Sequence, residues 1–175
     1  MKTYRNEDSD SENFLKVLSE CSSQTNSHLM KILPNVNNGK LFEAIHYVIF
    51  SGGKRFRAFL TLQSAKLFEV PQEKALQAAS AVELIHAYSL VHDDLPSMDN
   101  DDLRRGKPTV HVKWDEATGI LVGDGLQAFA YEVLCKKETH DDPAVRLHLV
   151  RELARAAGFH GWFWARRKIL KLRVC

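Results

Sequence analysis

A chain of 175 residues with 45% hydrophobic content holds enough apolar material for one sizeable core, so a single domain is expected. Its net charge of +2 excludes the strongly basic balance of a general nucleic-acid binder. Three scattered cysteines (Cys21, Cys135 and Cys175) show no metal-ligand spacing, and no apolar run approaches the roughly 18 residues of a membrane span, so a soluble, cytoplasmic protein without stable membrane insertion is expected.

Residues 1–12 are polar and acidic, unlike a secretory signal or an arginine-rich transit peptide, and are expected to be disordered. Phe14 to Leu33 carries apolar residues at helical spacing and stops at Pro34. Lys40 to Phe50 predicts a second helix, halted by Ser51-Gly52-Gly53. A third begins within GGKRFRAFLTLQSAKLF and ends near Val70-Pro71. From Pro71 the pattern runs for about six turns to Asp93-Asp94. Pro96 and the loop SMDNDDLRRGKP end it. A short segment near Lys113–Ala117 leads to an apolar, small-residue-rich helix over Ile120–Lys136 and a last one over Asp142–Ala157. No alternating strand pattern exceeds a few residues, so the fold class is all-α.

The chemistry gathers in Ala81 to Pro108, where an apolar helix runs into Asp93, Asp94, Asp99, Asp101 and Asp102, with Glu83 earlier and Arg104 and Arg105 just beyond. Mg²⁺ favours few carboxylates, several waters and phosphate oxygens. On one continuous helix Asp93 and Asp99 would not share a face, but Pro96 lets the chain fold back and bring both to one ion. The plain alternative is a solvated acidic loop with an N-cap for the next element. Arg104 and Arg105 suit phosphate oxygens, or else simply balance the aspartates. Lys54, Arg55 and Arg57 open a helix after two glycines, where basic side chains are unfavourable unless an anion compensates. His86, seven residues before Asp93, lies on nearly the same face, as a core histidine also could. Tyr88 lies about 7.5 Å deeper than Asp93 along the axis, where the tail of a head-anchored substrate, or the ordinary core, would meet it.

GGKRFR (52–57), HAYSLVHDDLPSMDNDDLRRGKPT (86–109) and GILVGDGLQAFAYEVL (119–134) together resemble the trans-prenyl diphosphate synthases, closest to the short-chain farnesyl type, over about residues 36 to 161. The resemblance implies the N-terminal portion of an isoprenoid synthase helical bundle, usually a homodimer. It implies a transferase that condenses isopentenyl diphosphate with dimethylallyl or geranyl diphosphate. Asp93 and Asp99 would hold Mg²⁺ with Asp94 supporting them, and Arg104 would contact the allylic diphosphate. Lys54, Arg57, His86 and Arg105 would hold isopentenyl diphosphate. An aromatic at Tyr88 fits the type that stops at the farnesyl length.

Residues 13–161 are thus expected to form a partial domain, and 162–175 a basic tail (Arg166, Arg167, Lys168, Lys171 and Arg173, with no acid) that leaves the family pattern. The second aspartate-rich motif of the family is missing. Trp162-Phe163-Trp164-Ala165 is encoded TGG-TTY-TGG-GCN, and the frame one nucleotide earlier permits Met-Val-Leu-Gly. The following codons permit Gln, two Lys or Glu, then Asp-Leu-Glu-Ala-Glu, which is the family continuation. A frameshift at Gly161 or Trp162 is therefore expected, to be checked in the nucleotide sequence, and this chain alone is expected to have little or no synthase activity. The competing expectations are a non-catalytic fragment or partner of a longer synthase, and a tail that lies on a membrane surface, although its apolar residues form no clean stripe. A terpene cyclase would share the first acidic motif but not the paired arginines with GGKRFR.

Overall fold

The computed structural model of the chain describes residues 7–35, 39–163 and 166. Seven helices and one small hairpin are formed among them: α1 Glu7–Ile32, α2 Lys40–Phe50, α3 Phe56–Leu67, α4 Gln72–Asp93, β1 Leu103–Arg104, β2 Lys107–Pro108, α5 Val110–Lys113, α6 Glu116–Cys135 and α7 Pro143–Ala157. The all-α expectation holds, with β1 and β2 as a two-residue ladder pairing Leu103 with Pro108 and Arg104 with Lys107. Helix α1 starts at Glu7, so the second half of the stretch expected to be disordered over 1–12 is helical.

Helix α4 is the axis. Small residues (Ala75, Ala79, Ser80, Ala81, Ala87) are buried along it, alternating with Leu84, Tyr88 and Val91, so it is covered on most sides rather than along one stripe. Its main neighbour is α6, followed by α3, with α1, α2 and α7 completing the sleeve. The principal core joins Leu29, Ala44, Ile49, Leu84, Val122, Leu126 and Val133. A satellite cluster of Cys21, Ala58, Leu62, Ala75 and Ala79 ties α1 and α3 to the start of α4.

Two glycines set the contact at the C-terminal end of α4. A Cβ on Gly123 would lie 2.0 Å from His92 Nε2, and one on Gly119 would lie 3.0 Å from Leu95 Cδ2. Their absent side chains let α6 close on the last turn of α4. His92 Nε2 then donates to the Ile120 carbonyl at 3.1 Å. Helix α6 begins earlier than Ile120 because Asp115 caps it, its carboxylate accepting from the Thr118 N–H at 2.7 Å.

Candidate functional site

The acidic loop folds back on the end of α4 by way of main-chain bonds. The Asp99 N–H donates to the Asp93 carbonyl at 2.8 Å, and the Asp101 N–H to the Asp94 carbonyl at 3.2 Å. With the helix ended at Asp93 ahead of Pro96, whose ring disfavours helical backbone at Leu95, the two carboxylates converge. They converge on a cation that belongs to the chain itself. Arg166 Nε lies 2.9 Å from Asp93 Oδ1, and its Nη2 lies 2.5 Å from Asp99 Oδ1. The Arg166 side chain is 11% exposed, against 14% and 13% for those of Asp93 and Asp99. Burial, and behind it the nearby Asp99 and Asp94 charges, push the Asp93 carboxyl up to about 6, even though Arg166 and Arg104 pull it down.

Asp94 faces the other way. It is buried and gripped by Arg104, whose Nε donates to both carboxylate oxygens (2.8 and 2.9 Å) and whose Nη2 donates to Oδ1. Arg104 also reaches Asp101 at 3.4 Å. Burial pushes the Asp94 carboxyl above the usual range. Arg104 therefore meets the plainer expectation, balancing aspartates, and it presents the rest of its guanidinium to a cavity.

Arg105 and Gly106 form the hairpin turn, both at positive φ (54° and 74°), as a tight two-residue connection between β1 and β2 requires. The turn throws the Arg105 side chain across to Gly52-Gly53, where Nη1 donates to the Gly52 carbonyl. Gly53, at φ 130°, has no room for a side chain, since a Cβ would sit 2.6 Å from Arg105 Nη1.

Two cavities flank this end of α4. The smaller, about 50 Å³, is lined by His86, Asp94, Arg104, Arg105 and Lys107 together with Tyr47. The larger, about 350 Å³, runs between α4 and α7 and is lined by Arg57, His86, Tyr88, Asp93, Leu153 and Trp162. Its volume is within the range of small-molecule pockets. His86 borders both. Burial, with Arg57 and then Arg105 among the nearby cations, holds it down to about 4, so its imidazole is neutral at physiological pH. Tyr88 is buried in the larger cavity wall below Asp93, edge-on to His92 (5.3 Å) and tilted against Trp162 (5.9 Å). Lys54 is exposed and lines neither cavity.

Two charged residues of the sequence pattern do not belong here. Arg55, grouped above with Lys54 and Arg57, is turned inward by a left-handed backbone (φ 50°). It donates to Asn26 Oδ1 (2.9 Å), to Glu83 Oε2 (3.2 Å) and to the Ile49 carbonyl. Glu83, counted with the acidic cluster, spends its other oxygen on the Ala58 N–H at 3.1 Å. They form a closed internal network. Arg166, by contrast, escaped the sequence reasoning because it lies in the tail outside the family pattern.

The donor set suits a hard divalent cation. Asp93 Oδ1 and Asp99 Oδ1 already reach one positive group, and the buried Asp93 Oδ1 has no partner in hydrogen-bond geometry. Among the described residues there is no cluster of three or more metal-ligating side chains. A pair of carboxylates completed by water and phosphate oxygens is the arrangement Mg²⁺ prefers.

A helical bundle with paired carboxylates at the end of its central helix and arginines opposite them has the architecture of the isoprenoid synthases. An FPP/GFPP synthase from Zymomonas mobilis superposes with a TM-score of 0.89 at 41% identity, covering 94% of this chain and 60% of that one. The polyprenyl synthetase family profile matches residues 38–157, and the chain belongs to that family. The farnesyl diphosphate synthase of Haemophilus influenzae is 47% identical over 125 residues, which is 71% of this chain and 42% of the relative. That of Escherichia coli is 43% identical over 154 residues, 85% of this chain and 50% of the relative. The chain thus spans half or less of the length of these two relatives.

Proposed function

We propose that this end of the bundle is the metal- and diphosphate-binding site of a prenyltransferase that joins isopentenyl diphosphate to an allylic diphosphate, giving farnesyl diphosphate. The observation that carries it is the convergence of Asp93 and Asp99 on one cation, with Asp93 also lining the cavity that Tyr88 lines. Asp93 and Asp99 would hold Mg²⁺, and Asp94 supports them by fixing Arg104. When bound there, Mg²⁺ supplies Lewis-acid pull on the departing diphosphate.

Arg104 and Arg105, preorganised by Asp94 and by the Gly52 carbonyl, stabilise phosphate charge at the smaller cavity. Arg57, which lines the larger cavity, and the neutral His86, which borders both, would bind the isopentenyl diphosphate, with the exposed Lys54 outside both cavities. His86, carrying no charge, can accept or donate a hydrogen bond without repelling Arg57. Departure of the allylic diphosphate leaves a carbocation that the isopentenyl double bond attacks, and a proton is then lost. The apolar side chains of the larger cavity would surround that cation, and Tyr88 would stop the growing tail. A homodimer in the cytoplasm is the working form this proposal implies.

The test is calorimetric binding of geranyl diphosphate to the purified chain. Binding that needs Mg²⁺ and disappears in D93N/D99N is expected; binding indifferent to both would overturn the site. In a condensation assay with isopentenyl diphosphate, this chain alone is expected to give little product. Its acid pair is held by Arg166, which favours a second reading, a non-catalytic chain that pairs with a longer synthase. Co-purification with such a synthase would distinguish it.

A further inference from the structure

We propose that Arg166 is an internal counter-ion of the Asp93–Asp99 pair, so that seating of its guanidinium there and loading of a divalent cation exclude one another. This rests on the metal-site reading above. The guanidinium bridges the two carboxylates that would hold the ion, at 2.9 and 2.5 Å, and all three groups are largely withdrawn from water. Arginine cannot shed its charge to make room. An ion drawn to the same two carboxylates would meet the fixed charge of Arg166 there, and the repulsion between the two cations drives one of them out.

The seat is good in charge and poor in geometry. Asp93 Oδ1, Arg166 Nε and Arg166 Nη2 are buried within ion-pair reach, yet none is in hydrogen-bond alignment. The planar guanidinium donates in fixed directions and gains little from such a site, whereas a spherical ion has no directions to satisfy. Trp162, four residues before Arg166, packs on Tyr88 and lines the wall shared with Asp93. Release of Arg166 therefore loosens Trp162 as well, and opens the cavity where the prenyl tail would lie.

Mn²⁺ is the probe, its free concentration read by electron paramagnetic resonance on the full chain. R166Q is expected to bind Mn²⁺ about tenfold or more tightly than the unaltered chain, the scale set by removing one full charge from a two-carboxylate site. R166K, which keeps the charge, is expected in between, and D93N/D99N is expected to abolish binding. Equal Mn²⁺ affinity in R166Q and the unaltered chain, both lost in D93N/D99N, would overturn the counter-ion and leave the metal site standing. No binding in any variant would overturn both.

A second readout needs no change at Arg166. Saturating Mg²⁺ is expected to alter the Trp162 emission, identified by its absence in W162F. Emission unmoved by Mg²⁺ in a chain that binds the ion would overturn displacement.

Discussion

The Arg55 and Arg166 contacts with carboxylates are built to opposite ends. Arg55 meets Glu83 inside a closed network in which Asn26, the Ile49 carbonyl and the Ala58 N–H occupy the remaining donors and acceptors. Arg166 meets Asp93 and Asp99 at comparable distances, but its buried nitrogens find charge without alignment. A low-dielectric interior makes a satisfied network rigid and leaves a poorly directed ion pair exchangeable. The first contact ties α3 to α4 as structure. The second occupies the pair of carboxylates proposed above to hold a metal ion.

Breaking the closed network should have the largest effect. R55A or E83A leaves a buried charge unpaired and is expected to destabilise by about 3–5 kcal/mol, read from urea midpoints. The double variant should cost less than the sum of the two. R166Q should cost a fraction of that, and a loss as large as that of R55A would erase the distinction between the two contacts.

The glycine contacts come next. G123A drives a methyl into the His92 ring, which is already held by Tyr88 and the Ile120 carbonyl, and is expected to cost about 1–3 kcal/mol. G53A combines a φ of 130° with a clash on Arg105. Its expected cost is also about 1–3 kcal/mol, accompanied by weaker isopentenyl diphosphate binding. G123A should leave Arg105 in place.

The smallest effects are pH slopes. His86 takes its proton near 4 when folded and near 6.5 when unfolded, so the unfolded chain binds more protons across that window and stability rises with pH through it. Asp93 acts with the opposite sign. Its folded value of about 6 lies above the ordinary 3.8, so the folded chain binds more protons there and stability falls as pH rises between them. H86N should remove the rising component and D93N the falling one, in metal-free denaturation curves. A variant whose slope is unchanged would show that its group titrates alike folded and unfolded.

Much of this was legible in the sequence for physical reasons. The depth of Tyr88 below Asp93 follows from helix rise, and the meeting of Asp93 with Asp99 follows from Pro96 ending α4. Arg55 and Glu83 were misplaced because spacing along a chain carries no information about depth. One left-handed residue turned a basic side chain from the presumed anion site into the core. The Arg105 contact with Gly52 needed a hairpin too short to leave an alternating pattern. Arg166 lay in a stretch whose composition says only that it is basic, and nothing local to it points toward acids more than sixty residues away.

The most direct test is nuclear magnetic resonance of the arginine Nε–Hε groups during a Mg²⁺ titration of the intact chain. The Arg55 signal, bonded to Asn26, should stay in place and resist solvent exchange, while the Arg166 signal should shift and lose its protection as the ion enters. Arg55 and Arg166 moving together, or both indifferent to an ion that binds, would contradict the division between a structural pair and an exchangeable one.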